Sequence, residues 1–415
     1  MQLLGWLRHL REDDPWTFRL AVTSLALLAV WPLWFGVGGA LGVFGFGGVD
    51  FKAYYLAGLR VRDGLPLYGT GPVDAVPEPR AVRFLYPPVV AAPFVLLTLL
   101  SPLPARVAFL ALQFGFLWCS VLVLLRAWGV RPTRGEALAA GWLLAGVQPV
   151  VFTLRTGNIT GFVAGLLCLS AAVTLGPDAD DRPFLGGALA AVAAVPKSYV
   201  APAGAHLLGD RRRLAGAALA GLALAVAGLA LFGPATTREY VDVLTAGNAW
   251  GAPRPPAALP RHYRPFAWFE RFPPWRTLLR VGILLTALST ALAATADERA
   301  TAFAMGCVTV PLAAPSADTL TLLVAVPGLL VAGLTESRRH GYPAVVLVGA
   351  LGVQTSVYAV RVLRHYGPTY IPGMPWALVR PFVVLQPGTA GLLAVFGLCV
   401  VRVWRGRLQV PDSGA

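Results

Sequence analysis

The chain has 415 residues, 56% of them hydrophobic and only 13% charged, with a mean hydropathy of +0.66. That composition excludes a soluble globular domain and implies a polytopic, all-α membrane protein. The net charge of +14 has no soluble basic domain to carry nucleic-acid binding, so the basic excess reads as compositional bias and anchoring at the membrane surface.

Nearly all the basic residues are arginines, and Lys52 and Lys197 are the only lysines. Cys119, Cys168, Cys307 and Cys399 fall in apolar stretches without CxxC spacing, and the histidines never pair at metal-ligand spacing. No metal, cofactor or disulfide framework is expected.

Residues 1–19 mix Arg8, Arg11 and Arg19 with Glu12, Asp13 and Asp14, and no small-residue cleavage site follows. This argues against a signal peptide. A first span is expected over 20–37, with a cytoplasmic N-terminus and an outer loop at 38–105. Within that loop the stretch 49–69, VDFKAYYLAGLRVRDGLPLYG, is the densest in chemistry. Its 51–62 portion is compatible with a short helix whose apolar stripe is Phe51, Tyr55, Gly58 and Leu59, leaving Lys52 and Arg62 for the headgroups. The apolar run 86–100 is short for a core of roughly 30 Å and reads as a re-entrant or surface-lying helix.

Further spans are expected at 107–125, 137–154, 159–175, 214–232, 277–294, 300–314, 319–334, 342–362 and 381–403. Arg182 and the run Arg211, Arg212, Arg213 both belong on the cytoplasmic side, so the apolar segment 184–208 must begin and end on one face. Two half-length helices meeting at Pro196 and Lys197 meet that demand. The count is about 12 transmembrane helices with both termini cytoplasmic. The polar stretch 233–275 carries Trp250, Arg254, Arg261, His262, Tyr263, Arg264 and Trp268. It suits a sugar or phosphate ligand, and equally an interfacial aromatic belt. A last outer loop is expected at 363–380. The whole is one membrane domain, with a module at 1–232 and a second, variable one at 233–415.

Asp50 follows a glycine-rich run and precedes the expected helix, where a carboxylate is either an N-cap or a base. Lys197 is costly to bury and either meets an anion or snorkels to the interface. Lys52, Arg83 and Arg155 are phosphate candidates that serve equally as interfacial anchors. Asn158 either bonds a hydroxyl or caps the next helix. A cation beside a broken helix also suits a lipid or lipid-linked sugar transporter or flippase. Against that class, Lys197 stands nearly alone among apolar spans and no inverted repeat is evident.

Asp50-Phe51-x-x-Tyr54-Tyr55, then Gly64-x-x-x-Tyr68, then Tyr86-Pro87-Pro88 resembles glycosyltransferase family 87. So do the turn Thr156, Gly157, Asn158, the run Pro196 to Tyr199, and the stretch 311–318. That family lies in the GT-C superfamily of polyprenyl-phosphate-sugar-dependent membrane enzymes and includes mycobacterial phosphatidylinositol mannosyltransferases. The resemblance implies a GT-C fold with juxtamembrane helices in the first outer loop, and Asp50 as catalytic base. It implies transfer of a sugar, mannose first, from a polyprenyl-phosphate donor to a lipid or cell-envelope glycan. On this reading Lys197, Lys52, Arg155 and Arg83 face the donor's phosphate, while Tyr54, Tyr55, Tyr86, Asn158, His262 and Asp318 contact substrate. The family often carries an aromatic and paired histidines where this chain has Asp318, Thr319 and Leu320. That departure bears on the identity of the sugar, and His262 or His365 would have to supply an imidazole from another loop.

Overall fold

In hydrocarbon a backbone must satisfy its own hydrogen bonds, and every regular element among the described residues is a helix. The computed structural model describes residues 11–12, 14–40, 48–69, 83–177, 182–245, 263–266, 269, 272–314, 317–356 and 386–408. In chain order the helices are α1 (Pro15–Ala40), α2 (Val49–Arg62), α3 (Ala92–Leu97, continuing a 3-10 turn at Pro88–Ala91), α4 (Pro102–Ala127) and α5 (Arg134–Gly146). There follow α6 (Gln148–Thr156), α7 (Thr160–Thr174), α8 (Pro183–Ala194), a 3-10 helix at Ser198–Leu207 and α9 (Arg211–Thr245). The last are α10 (Pro273–Ala293), α11 (Arg299–Ala313), α12 (Leu322–Arg338), α13 (Pro343–Thr355) and α14 (Pro387–Leu408).

Four of them, α4, α9, α10 and α14, are long and apolar enough to cross a membrane alone, and the bent pair α5–α6 makes a fifth. Shorter apolar helices, α7, α8 and α13 among them, accompany these. By length and composition the described residues therefore give a helical membrane protein with fewer complete spans than the sequence led us to expect.

Proline and glycine set the breaks. Where one span was expected over 137–154, α5 and α6 meet at Val147 with a bend of 71°. Pro149 has no N–H to continue the ladder of α5. Gln354 of α13 covers the groups left over: its Oε1 accepts from the Gln148 N–H at 2.8 Å, and its Nε2 donates to the Gly146 carbonyl at 2.8 Å. The helix expected to end at 232 continues as α9 to Thr245, through a break at Gly233 (φ 77°, ψ 169°) and a restart at Pro234. The first part of the expected polar loop 233–275 is thus helical. The apolar run after Tyr86 forms only a 3-10 turn and the six-residue α3, which lie against α2, with Gly58 under the Phe94 carbonyl.

One apolar cluster joins α2, α3 and the start of α4 around Tyr54, Phe94 and Phe109. A second joins α4, α7, α11 and α12 around Leu117, Leu167 and Phe303. A third joins α10 to α14 around Met305, Leu322 and Leu392. Helix α11 is buried continuously from Thr301 to Ala313 and belongs to the last two clusters. In contrast α9 and α10 expose Leu219, Leu222, Val226, Leu278, Leu285 and Leu292, a rim suited to lipid. Where α8 crosses α9, Gly187 faces the Arg213 carbonyl and Gly216 the Phe184 carbonyl, so backbones touch as small-residue packing in membranes allows.

The α8 segment and the 3-10 helix form a hairpin with its vertex at Pro196 and Lys197. At one foot the Arg182 N–H donates to the Val173 carbonyl (3.0 Å). At the other, Arg213 reaches the Thr174 carbonyl (3.1 Å) and pairs with Asp210 (3.2 Å). Both feet therefore meet the C-terminal end of α7, and the vertex reaches its N-terminal end.

Candidate active site

The site forms where three chain reversals converge on the N-terminus of α2. That helix begins at Val49, two residues before the expected start, and Gly48 (φ 55°) holds the cap position. Asp50 is therefore no N-cap. It sits in the first turn, where the positive end of the helix dipole favours a carboxylate. The second reversal is Gly157, whose φ of 69° closes α6; a Cβ there would lie 2.6 Å from Phe51 Cβ. Only glycine lets this turn lie against α2, and the result is that Asn158 faces Asp50. The Gly48 N–H donates to the Arg155 carbonyl (3.2 Å), which ties the two turns together. The third reversal is the hairpin vertex with Lys197.

Asn158 is the hub. Its Nδ2 donates to Asp50 Oδ2 at 3.0 Å. Its Oδ1 accepts from Lys197 Nζ (2.9 Å), Thr160 Oγ1 (2.6 Å) and the Thr160 N–H (3.1 Å). Lys197 Nζ also donates to Thr160 Oγ1 at 2.7 Å. Gln113 Nε2, from α4, donates to the Asn158 carbonyl at 2.5 Å. Asn158, Thr160, Lys197 and Gln113 are all buried, whereas Asp50 is partly exposed. The carboxylate is thus the end of the network that a substrate can reach.

A second layer is aromatic. Tyr54 is fully buried, stacks on Phe94 with ring centres 4.8 Å apart, and donates to the Tyr86 hydroxyl at 2.8 Å. The Ile159 N–H donates back to Tyr54 at 3.3 Å, which locks the phenol into the same turn as Asn158. Burial pushes the Tyr86 phenol above its usual range, and the charges of Asp50 and Asp318 act in the same direction. Tyr86 accordingly stays protonated as a donor at neutral pH. Asp318 caps the approach to α12, accepting from the Leu320 (2.9 Å) and Thr321 (3.2 Å) N–H groups. Burial pushes its carboxyl up, while the nearby Lys197 ammonium opposes that shift.

The family model of glycosyltransferase family 87 matches residues 84–315, more than half of the chain. The chain belongs to glycosyltransferase family 87. No curated protein and no solved structure matches it. This family 87 chain is therefore a membrane glycosyltransferase. The matched stretch takes in Tyr86, Asn158 and Lys197, while Asp50 precedes it and Asp318 follows it. What joins those two carboxylates to the matched core in this family member is the geometry just described.

Of the residues singled out in the sequence, the structure brings together Asp50, Tyr54, Tyr86, Asn158, Lys197 and Asp318. Tyr55 is turned away into the fold, its hydroxyl donating to the Leu100 carbonyl at 2.8 Å. Lys52 and Arg155 lie next to the two turns and are partly buried, and Arg83 is exposed beside the aromatic layer. His262, His365 and the loop 363–380 lie outside the described residues, as does most of 246–271. Thr160 and Gln113 were not foreseen. Thr160, two residues after Asn158 at a helix start, is the usual position for such a side-chain turn, and Gln113 is a lone amide in an apolar helix. Arg106 of α4 was also missed: its guanidinium lies against Gly48, and its buried Nη2 has no partner among the described residues.

Proposed function

We propose that this glycosyltransferase transfers a sugar from a polyprenyl-phosphate donor to a lipid or cell-envelope glycan acceptor, with Asp50 as general base. The reaction takes place on the extracytoplasmic face of the cell membrane. The acceptor hydroxyl gives its proton to the Asp50 carboxylate as its oxygen attacks the anomeric carbon. The bond from sugar to phosphate breaks on the opposite face, polyprenyl phosphate departs with the electron pair, and the anomeric centre inverts. On this reading Lys52, Arg83 and Arg155 meet the departing phosphate, as the resemblance to the family implies. Mannose is the first sugar to try, because the resemblance includes mannosyltransferases.

The observation that carries this reading is the state of Asp50: a reachable carboxylate at a helix N-terminus, held by a buried polar network in an otherwise apolar bundle. The test is to incubate membranes with a panel of polyprenyl-phosphate sugars and follow loss of sugar from the carrier. At least one donor should be consumed by membranes holding the wild type and spared by those holding Asp50→Asn. Equal consumption in both would remove the proposal.

A further inference from the structure

Lys197 was placed on the donor's phosphate by the sequence, but its contacts suggest different work. We infer that Lys197 is a positioning residue that sets the Asp50 carboxylate through Asn158, an inference that rests on Asp50 being the base.

The two ends of a side-chain amide have almost the same shape, so its direction follows from its partners. One end of Asn158 faces Lys197 Nζ at 2.9 Å and the Thr160 N–H at 3.1 Å. An ammonium and a backbone N–H can only donate. The group facing them must therefore be the amide oxygen, since a flipped amide would set donors against donors inside a buried site. The Thr160 hydroxyl completes the lock. Its oxygen accepts from Lys197 at 2.7 Å, so its own hydrogen goes to Asn158 Oδ1 at 2.6 Å.

With the oxygen pinned, the amide nitrogen is turned toward Asp50, and Nδ2 donates one of its two hydrogens to Oδ2 at 3.0 Å, with Tyr86 also beside the amide. That bond restrains the carboxylate by engaging Oδ2, and in the relay Oδ1 takes the acceptor's proton. The backbone of Asn158 cannot drift, because Gln113 holds its carbonyl and Gly157 packs on Phe51. Lys197 is only 8% exposed, at the vertex of a hairpin whose feet are at the far end of α7. Its Nζ also lies 5.9 Å from the Tyr199 ring centre, so its surroundings are built by the protein on several sides. Two of an ammonium's three hydrogens are thus committed to Asn158 and Thr160.

The two roles predict different kinetics. A phosphate contact acts on donor binding and departure, and it needs no Asn158. A relay acts on the geometry of the base, and Lys197 and Asn158 then work as one unit. The experiment uses full-length enzyme in detergent with polyprenyl-phosphate mannose, or the panel sugar that the wild type turns over fastest. Lys197→Met, Asn158→Leu and the double variant are compared by kcat and donor KM. Donor affinity is measured separately in the inactive Asp50→Asn background, alone and combined with Lys197→Met or Asn158→Leu.

Each single variant should lose up to about 100-fold in kcat, the scale of a misplaced catalytic group, with donor KM within about twofold of wild type. The double variant should lose no more than the worse single one. Lys197→Arg, which still donates to Asn158, should recover part of the loss. Two results would overturn the relay: multiplied losses in the double variant, or weakened donor binding in Lys197→Met that Asn158→Leu does not share. Should Lys197→Met fail to fold, Thr160→Val must show the same loss confined to kcat, and unchanged turnover there sinks the inference. The base itself is judged apart. An active Asp50→Asn enzyme removes the base reading, whereas an inactive one with independent Lys197 and Asn158 effects removes only the relay.

Discussion

Asp50 makes one hydrogen bond to a side chain among the described residues, and that bond survives the change to asparagine. The amide oxygen of an Asn at this position accepts from Asn158 Nδ2 as Oδ2 does now, at a present distance of 3.0 Å. Asp50→Asn thus keeps the size and the contact and removes the proton acceptor. Purified Asp50→Asn should unfold at the wild-type temperature while turnover falls by about two to four powers of ten, the span of a general base. Comparable turnover in the variant would take Asp50 out of the chemistry. A lowered unfolding temperature would instead show that the carboxylate charge is needed at the N-terminus of α2 for stability.

At the scale of elements, local signals gave the breaks that have local causes. Pro196 marked the vertex of the hairpin, and Arg182 with the run Arg211 to Arg213 required its feet to share one end, as they do. The stripe of Phe51, Tyr55, Gly58 and Leu59 on α2 is buried as its spacing suggests. The site's connections were not legible, since Asn158 and Asp50 are 108 positions apart and nothing in a single sequence says that they meet. The same holds for the α5–α6 bend: Pro149 hints at it, but the amide that makes it tolerable comes from Gln354, 206 positions away from Gln148. Gln354→Leu keeps most of the volume and strands the Gln148 N–H and the Gly146 carbonyl in a buried place. Each stranded group costs about 1–3 kcal/mol, so the variant should be destabilised by about 2–6 kcal/mol and unfold at a clearly lower temperature in detergent. An unchanged unfolding temperature would mean that the bend is satisfied without Gln354.

Across the whole molecule the two ends of the bundle differ in kind. One end gathers Arg213 with Asp210, Arg299 beside the same carboxylate (3.8 Å), Arg339 with Glu298 (3.2 Å) and Arg402 with Glu336 (2.7 Å). Exposed Arg211, Arg212, Arg405 and Arg407 surround these pairs. The other end carries α2, α3 and the Asp50 network. Helix α7 joins them, from Thr160 beside the network to Thr174 beside Arg213, and its 15 residues rise about 22 Å. That is most of a hydrocarbon core of roughly 30 Å, and we propose on that ground that the two ends lie at opposite faces of the membrane. We propose that the end with these arginine pairs is cytoplasmic, following the positive-inside rule, and that the Asp50 end faces outward. In a variant freed of its four native cysteines, Asp63→Cys and Arg83→Cys should react in intact cells with a maleimide that cannot cross the membrane. Arg254→Cys and Tyr370→Cys, in the two later outer loops expected from the sequence, should react as well. Arg212→Cys and Arg405→Cys should react only after the membrane is opened. Labelling of Arg212→Cys in intact cells, with Asp63→Cys protected, would invert the protein and move the proposed chemistry to the cytoplasm.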